Sequence, residues 1–127
     1  MSSVFSIEDA KLLKQVVTDY VKIPSFESRN RELIHYCLKH FEHLIISTGT
    51  STYDEMRSVI VNLPPERYTL LHCVSSYPCN FDIVNLPRME YLKNISNSIG
   101  FSDHSQGIES SVLSLGMGVN FIEKHFT

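Results

Sequence analysis

A basic excess is missing from this sequence: 11 Lys+Arg stand against 14 Asp+Glu, a formal charge of -3 over 127 residues. A domain that lives on phosphate backbones normally presents a net basic surface, so nucleic-acid binding as the main activity is disfavoured. No apolar run approaches the roughly 18 residues of a membrane helix, which excludes a helical membrane span. The opening MSSVFSIEDAKLL has no basic stretch followed by an apolar block, so no secretory signal is read there and a cytoplasmic location is expected. Cysteine is sparse. Cys37, Cys73 and Cys79 are irregularly placed, form no C-x-x-C, and point to reduced thiols rather than a disulfide scaffold or a zinc site. Cys73, inside Leu70-Leu71-His72-Cys73-Val74, reads as core. No G-x-S-x-G, P-loop or dinucleotide fingerprint occurs, so hydrolase triads and nucleotide-binding modules lose ground.

What is present is the balance of one globular unit, 43% hydrophobic and 20% charged, at a size where a single core can just sustain itself. Amphipathic helical stretches alternate with short β-like runs. Ser6-Ile7-Glu8-Asp9 resembles a capping box, and Ala10, Leu13, Val16 and Val17 extend a helical stripe that is expected to end near Tyr20. Residues 20–24 follow as a strand, with Pro24 at its end. A helix from about Asn30 carries Leu33, Ile34, Cys37, Leu38 and Phe41 on one face. His43-Leu44-Ile45-Ile46-Ser47 is a continuous run of the kind buried on both faces of a parallel sheet. Thr52-x-x-Glu55 is a capping box opening a helix over Met56, Val59, Ile60 and Leu63, which Pro64-Pro65 stops. Strands are further expected at 68–74, 99–103 and 119–125, with helices at 87–97 and 108–115. Strand and helix in this alternation predict an α/β fold of parallel βαβ units.

Chemically capable residues gather where each strand ends: Lys22 and Ser25, Ser47-Thr48-Gly49, Ser75-Ser76, Ser102-Asp103-His104, and Glu123-Lys124-His125. In parallel α/β architectures the carboxyl ends of the strands form the functional rim, so five such ends would face one site. His104 and His125 could ligate a divalent first-row metal or form a hydrogen-bonded structural pair. Alternation sets Ser102 with His104 on one face and Phe121, Glu123 and His125 together on another. His35, His40, His43 and His72 lie on element bodies and read as structural or surface residues. Lys22 with Ser25, Ser47, Ser75 and Ser102 offers a cation and several short donors, the set a phosphate wants. Serines at strand ends also serve as turn and cap residues. Glu27, in the loop after Ser25, could accept a substrate hydroxyl or act as a general acid or base, or be an ordinary loop carboxylate.

The segments VKIPSFES (21–28), IISTGTSTYDEM (45–56), LLHCVSSYP (70–78), GFSDHSQG (100–107) and NFIEKHFT (120–127) closely resemble, in order and spacing, successive strand-end motifs of the sialic acid synthase family, the N-acetylneuraminate, legionaminate and pseudaminate synthases. The resemblance implies a partial (β/α)8 TIM barrel covering about strands 4 to 8 with intervening helices, in one domain spanning 1–127. The first barrel strands and the antifreeze-like C-terminal domain are expected to be absent, and two unpaired sheet edges to remain. It further implies an enzyme that condenses phosphoenolpyruvate with an N-acetylated amino sugar into a nonulosonic 2-keto acid in carbohydrate biosynthesis, releasing phosphate. By position, His104 and His125 look like the ligands of a divalent metal, manganese or magnesium or else cobalt. Lys22, Ser25, Ser47 and Ser102 fall on phosphoenolpyruvate-binding positions, and Ser75 where members carry Asn or Ser. Glu27 matches a carboxylate facing the sugar and Glu123 a polar residue beside the metal, the two positions taken as catalytic. Cys79-Asn80 departs from the small-residue and proline pattern of the family. The expected partners are the two substrates and either a second copy or a complementing N-terminal half. The alternative is a catalytically incomplete binding or oligomerisation module of the same family.

Overall fold

The computed structural model describes residues 1–126. Helices and strands alternate as α1 (Ile7–Leu13), β1 (Tyr20–Ile23), α2 (Arg31–His40), β2 (His43–Ser47), α3 (Tyr53–Ile60), β3 (Tyr68–Cys73), α4 (Arg88–Lys93), β4 (Ile99–Asp103), α5 (Glu109–Gly116) and β5 (Phe121–Lys124). The strands form one sheet in the order β1-β2-β3-β4-β5, every neighbouring pair parallel. Neighbouring strands lie about 4.8 Å apart, so in a flat sheet β1 and β5 would be separated by about 19 Å. Yet Lys22 Nζ on β1 lies 2.6 Å from Glu123 Oε2 on β5. The sheet therefore curls, and these five strands form an α/β half-barrel, as expected.

Curling gives the strands an outer and an inner face. Val21, Ile23, Leu44, Ile46, Leu70, Ile99 and Phe101 point outward and pack into one cluster with helix residues such as Leu33, Cys37, Met56 and Met89. Ile45 and Leu71 are equally buried but stand outside that cluster, on the inner face. Gly100 belongs to the inner face too. A Cβ there would sit 2.4 Å from Leu71 Cδ2 and 2.6 Å from the Phe121 carbonyl, so only glycine permits this strand spacing.

Local chemistry sets the helix starts. Asn30 caps α2 by accepting the Leu33 N–H at 3.1 Å. The expected capping box of α3 is complete, with Glu55 N–H on Thr52 Oγ1 and Thr52 N–H on Glu55 Oε2. Ends depart further from expectation. α1 stops at Leu13 instead of reaching Tyr20, and Val16 is 80% exposed rather than part of the buried stripe. Val16 and Val17 both return their N–H groups to the Leu13 carbonyl, which tightens and closes the last turn, and the β-branched run Val16-Val17-Thr18 disfavours continuation. α4 ends at Lys93, where Ile95 and Ser96 bond back to Leu92 and the Ser96 hydroxyl turns to the Ser98 carbonyl, a local competition that serine favours.

The β1 edge is partly covered, which corrects the expectation of two bare edges. Val4 N–H donates to the Lys22 carbonyl and Lys22 N–H to the Ser2 carbonyl, both at 3.0 Å, so Ser3 bridges β1 in parallel. Among the described residues no helix is long and apolar enough to cross a membrane.

Candidate active site at the strand ends

Strand parity carries the site. Lys22, Ser47, Ser102 and Glu123 occupy inner-face positions on β1, β2, β4 and β5, while Ser25, Ser75, His104 and His125 sit in the loops directly after β1, β3, β4 and β5. All eight line one cavity of about 800 Å³. The two faces expected for the Ser102–His104 and Glu123–His125 pairs thus converge, because the curl turns neighbouring inner faces toward each other. Phe121 instead lies below the cavity, its ring 6.2 Å from that of Tyr20. Glu27 is not among the lining residues. Its carboxylate accepts from Asn30 Nδ2 at 2.8 Å, beside the start of α2.

On one side of the cavity is a cradle of small donors. Ser25 Oγ accepts the Gly49 N–H at 3.0 Å. A Cβ on Gly49 would come within 2.7 Å of Ser75 Oγ, 3.0 Å of Ser25 Oγ and 3.1 Å of the Cys73 carbonyl, so glycine keeps this cradle open. Ser47 is 2% exposed, and its Oγ is the single buried side-chain polar atom among the described residues that has no hydrogen-bond partner. Buried polar groups nearly always find partners, so a lone hydroxyl lining a cavity marks a place for a ligand atom.

Charged and titratable groups occupy the other side. Lys22 Nζ donates to both Glu123 oxygens, at 2.8 and 2.6 Å, and Ser102 Oγ donates to Oε2 at 2.6 Å. Burial pushes the Glu123 carboxyl up, but the bonds from Lys22 and Ser102 outweigh it and hold the group below the usual carboxylate range. His104 Nδ1 lies 2.7 Å from the Val74 carbonyl, to which its N–H donates. Cys73 Sγ, 3.9 Å from the same nitrogen, is a weaker second neighbour. Burial lowers the His104 pKa, but the Cys73 thiol and the Val74 carbonyl more than compensate and raise it. The Cys73 thiol is correspondingly drawn below its ordinary value, burial notwithstanding, by His104 with Ser25 and Ser102. Tyr77 lies over the imidazoles, its ring centroid 4.0 Å from that of His104 and 5.6 Å from that of His125.

Could these residues hold a divalent ion? The two imidazole centroids are 5.5 Å apart, and the Val74 carbonyl takes the Nδ1 proton of His104 and leaves Nε2 on the cavity side, the carbonyl-oriented arrangement of metal-ligating histidines. The donor set fits an ion held by two imidazoles and completed by oxygen ligands. No cluster of three or more His, Cys, Asp or Glu side chains that could hold a metal occurs among the described residues.

Reading Cys73 as core caught its burial, at 4% exposed, but missed that it lines the cavity. The signal was its parity with Leu71, two residues earlier on the inner face. Tyr77 and Ser3 were also missed as parts of the site, and Tyr77 carries no periodicity that could have singled it out. Gly49, expected with Ser47 and Thr48 at the end of β2, donates its N–H to Ser25 as a cradle residue should.

The NeuB family profile matches residues 1–127. The chain is 35% identical to the N,N'-diacetyllegionaminic acid synthase of Campylobacter jejuni, over all of this chain and 40% of that protein. It is 33% identical to the pseudaminic acid synthase of the same species, over 98% of this chain and 38% of that protein. Among solved structures, the N-acetylneuraminic acid synthetase of Leptospira borgpetersenii, in complex with citrate, superposes with a TM-score of 0.89 at 33% identity, covering 98% of this chain and 45% of that one. The chain thus spans about two fifths of the length of the curated relatives it matches.

Proposed function

The chain belongs to the NeuB family, and on that premise we propose that residues 1–127 are a partial-barrel domain of a synthase that joins phosphoenolpyruvate to an N-acetylated amino sugar in carbohydrate biosynthesis. The observation that carries the reading is the orphaned Ser47 hydroxyl, buried at the cavity wall with Ser25, Ser75 and Lys22 on the same cavity and the Gly49 N–H bonded to Ser25 behind it. An unmade buried hydrogen bond costs roughly 1–3 kcal/mol, which a phosphate or carboxylate oxygen at that point would remove.

Lys22, Ser25, Ser47, Ser75 and Ser102 would bind phosphoenolpyruvate. In the ligand-free arrangement Lys22 places its charge on Glu123, and an arriving phosphate would compete for it. His104 and His125 would hold a manganese, magnesium or cobalt ion. When bound, such an ion supplies Lewis acidity at the sugar aldehyde. In the reaction the enol carbon bonds to the aldehyde carbon, water then adds at the phosphate-bearing carbon, and the C–O bond to phosphate breaks. Lys22 and the serines hold the leaving phosphate through this sequence, and Glu123, kept ionised by Lys22 and Ser102, accepts hydrogen bonds or a proton from the sugar side. Glu27 joins the sugar site if its carboxylate turns from Asn30 toward the rim. The reaction is placed in the cytoplasm, with a second copy or a barrel-completing segment as assembly partner.

Titration of phosphoenolpyruvate into the purified chain, with and without manganese, tests this, repeated on His104→Ala and His125→Ala. Manganese-dependent binding lost in both variants is the expected result. Absence of binding in every form overturns the synthase reading in favour of a non-catalytic module of the family.

A further inference from the structure

Arg88 opens α4, which follows β3, yet its guanidinium reaches back to the loop after β2. Nη1 donates to Thr48 Oγ1 at 3.0 Å, and Nη2 donates to the Thr48 carbonyl at 3.1 Å and the Ser51 carbonyl at 2.6 Å. Among the described residues it enters no ion pair. Deepening the reading above and resting on it, we infer that Arg88 is a positioning residue of the anion cradle, acting through the Thr48–Gly49 peptide.

In a trans peptide the carbonyl and the following N–H point in opposite directions within one plane. Holding the Thr48 carbonyl on the Arg88 side therefore aims the Gly49 N–H the other way, and that N–H meets Ser25 Oγ on the cavity wall. A cation on the carbonyl end also polarises the peptide, which strengthens the N–H as a donor. Thr48 is fully buried and tied to the Leu71 carbonyl through both its N–H and its hydroxyl, so the plane has little freedom to turn away.

A second relay in the same loop shows what belongs at the far end. Arg88 also holds the Ser51 carbonyl, and the N–H of that peptide, on Thr52, donates to the Glu55 carboxylate at 2.8 Å. One guanidinium thus feeds two peptides. One relay ends on an anion of the chain itself, and the other ends at a serine hydroxyl open to the cavity, where an anionic ligand would complete the same pattern.

The test titrates phosphoenolpyruvate and, separately, inorganic phosphate into the full chain and into Arg88→Met, Arg88→Lys and Thr52→Ala, with the Gly49 amide followed by NMR. Arg88→Met is expected to bind about tenfold more weakly, the scale of one charge-assisted interaction, with the Gly49 proton shifted upfield. Arg88→Lys, which keeps the charge but not the fork, falls between. Thr52→Ala loses a helix cap and melts earlier, yet keeps its phosphate affinity. Equal binding by the unsubstituted chain and both Arg88 variants overturns this inference alone. So does a loss in Thr52→Ala matching that of the Arg88 variants, since that is what loop destabilisation alone would give. If Arg88→Met fails to fold, Arg88→Lys with an unshifted Gly49 amide and unchanged affinity overturns it. No binding by the unsubstituted chain overturns the phosphoenolpyruvate reading and this inference with it.

Discussion

The two faces of the same five strands are built to opposite rules. Outward, Val21, Ile23, Leu44, Ile46, Leu70 and Phe101 meet helix side chains in a continuous apolar cluster. Inward, toward the carboxyl ends, the strands present Lys22, Ser47, Cys73, Ser102 and Glu123 to a cavity. Adjacent residues of one strand therefore serve different ends: Ile46 holds the helices on, and Ser47 leaves a hydroxyl waiting. The outer face carries stability and the rim carries recognition, and substitutions should separate the two.

The largest effect belongs to the outer face. Leu70→Ala removes a fully buried side chain from the central strand and should cost ~2–5 kcal/mol in urea unfolding, while the folded fraction keeps its manganese affinity. The converse is His104→Ala. With an imidazole removed from the rim, manganese affinity measured by calorimetry should fall about 100-fold or more, beyond what losing an outer-sphere partner costs, with phosphate affinity in the absence of metal retained. If Leu70→Ala weakened metal binding within the folded fraction, or His104→Ala abolished metal-free phosphate binding, the division between faces would not hold.

Much of this division was legible in the residues. The runs at 43–47 and 99–103 marked β2 and β4 with their observed bounds, because continuous apolar strands between capped helices leave little else for the chain to do. The Thr52-x-x-Glu55 box was equally plain. Strand-end polarity pointed to one rim, and eight of the nine residues singled out line one cavity. What stayed hidden depends on curvature and on reach. Cys73 reads as core until the curl of the sheet gives β3 an inner face, and nothing in the sequence shows that Glu27 bonds to Asn30 outside the cavity lining. Arg88 lies 40 residues from the Thr48 hydroxyl it grips, and no periodicity connects them. Helix ends were the poorest guide, since Val16 continues the stripe of α1 in sequence while the backbone has already turned.

A sharper contrast comes from Ser47→Ala. Removing a paired buried hydroxyl is usually costly, but this one has no partner to lose, so the melting temperature should stay level or rise, by no more than ~1 kcal/mol in stability. Phosphoenolpyruvate affinity should drop about tenfold, the scale of a hydrogen bond to a charged group. Loss of stability without loss of affinity would mean that the hydroxyl is satisfied by something other than a ligand, and the rim would lose its clearest marker.

The smallest effect concerns the histidine on the wrong face for chemistry. His72 points outward from β3, stacks on Phe101 with ring centroids 5.7 Å apart, and donates from Nε2 to the Val84 carbonyl at 2.6 Å. Its Nδ1 faces the Arg88 guanidinium at 3.5 Å. Burial foremost, with the Arg88 charge adding to it against the Val84 bond, lowers its pKa below the ordinary histidine value. The unfolded chain then takes up a proton at a higher pH than the folded one. Stability from His72 is thus fully present above the unfolded value of about 6.5 and is lost as pH falls through that value toward the folded one. His43, lowered chiefly by burial, adds a slope of the same sign, and the raised His104 one of the opposite sign. The informative quantity is therefore the difference between parent and His72→Gln, which keeps a donor for Val84 but does not titrate. Melting temperatures from pH 8 to pH 5, about one and a half units either side of that value, should fall less steeply in the variant, with phosphate affinity at pH 7.5 unchanged. Parallel melting curves would show that His72 carries its proton in the folded state, and that the outer face tolerates a charge beside Arg88.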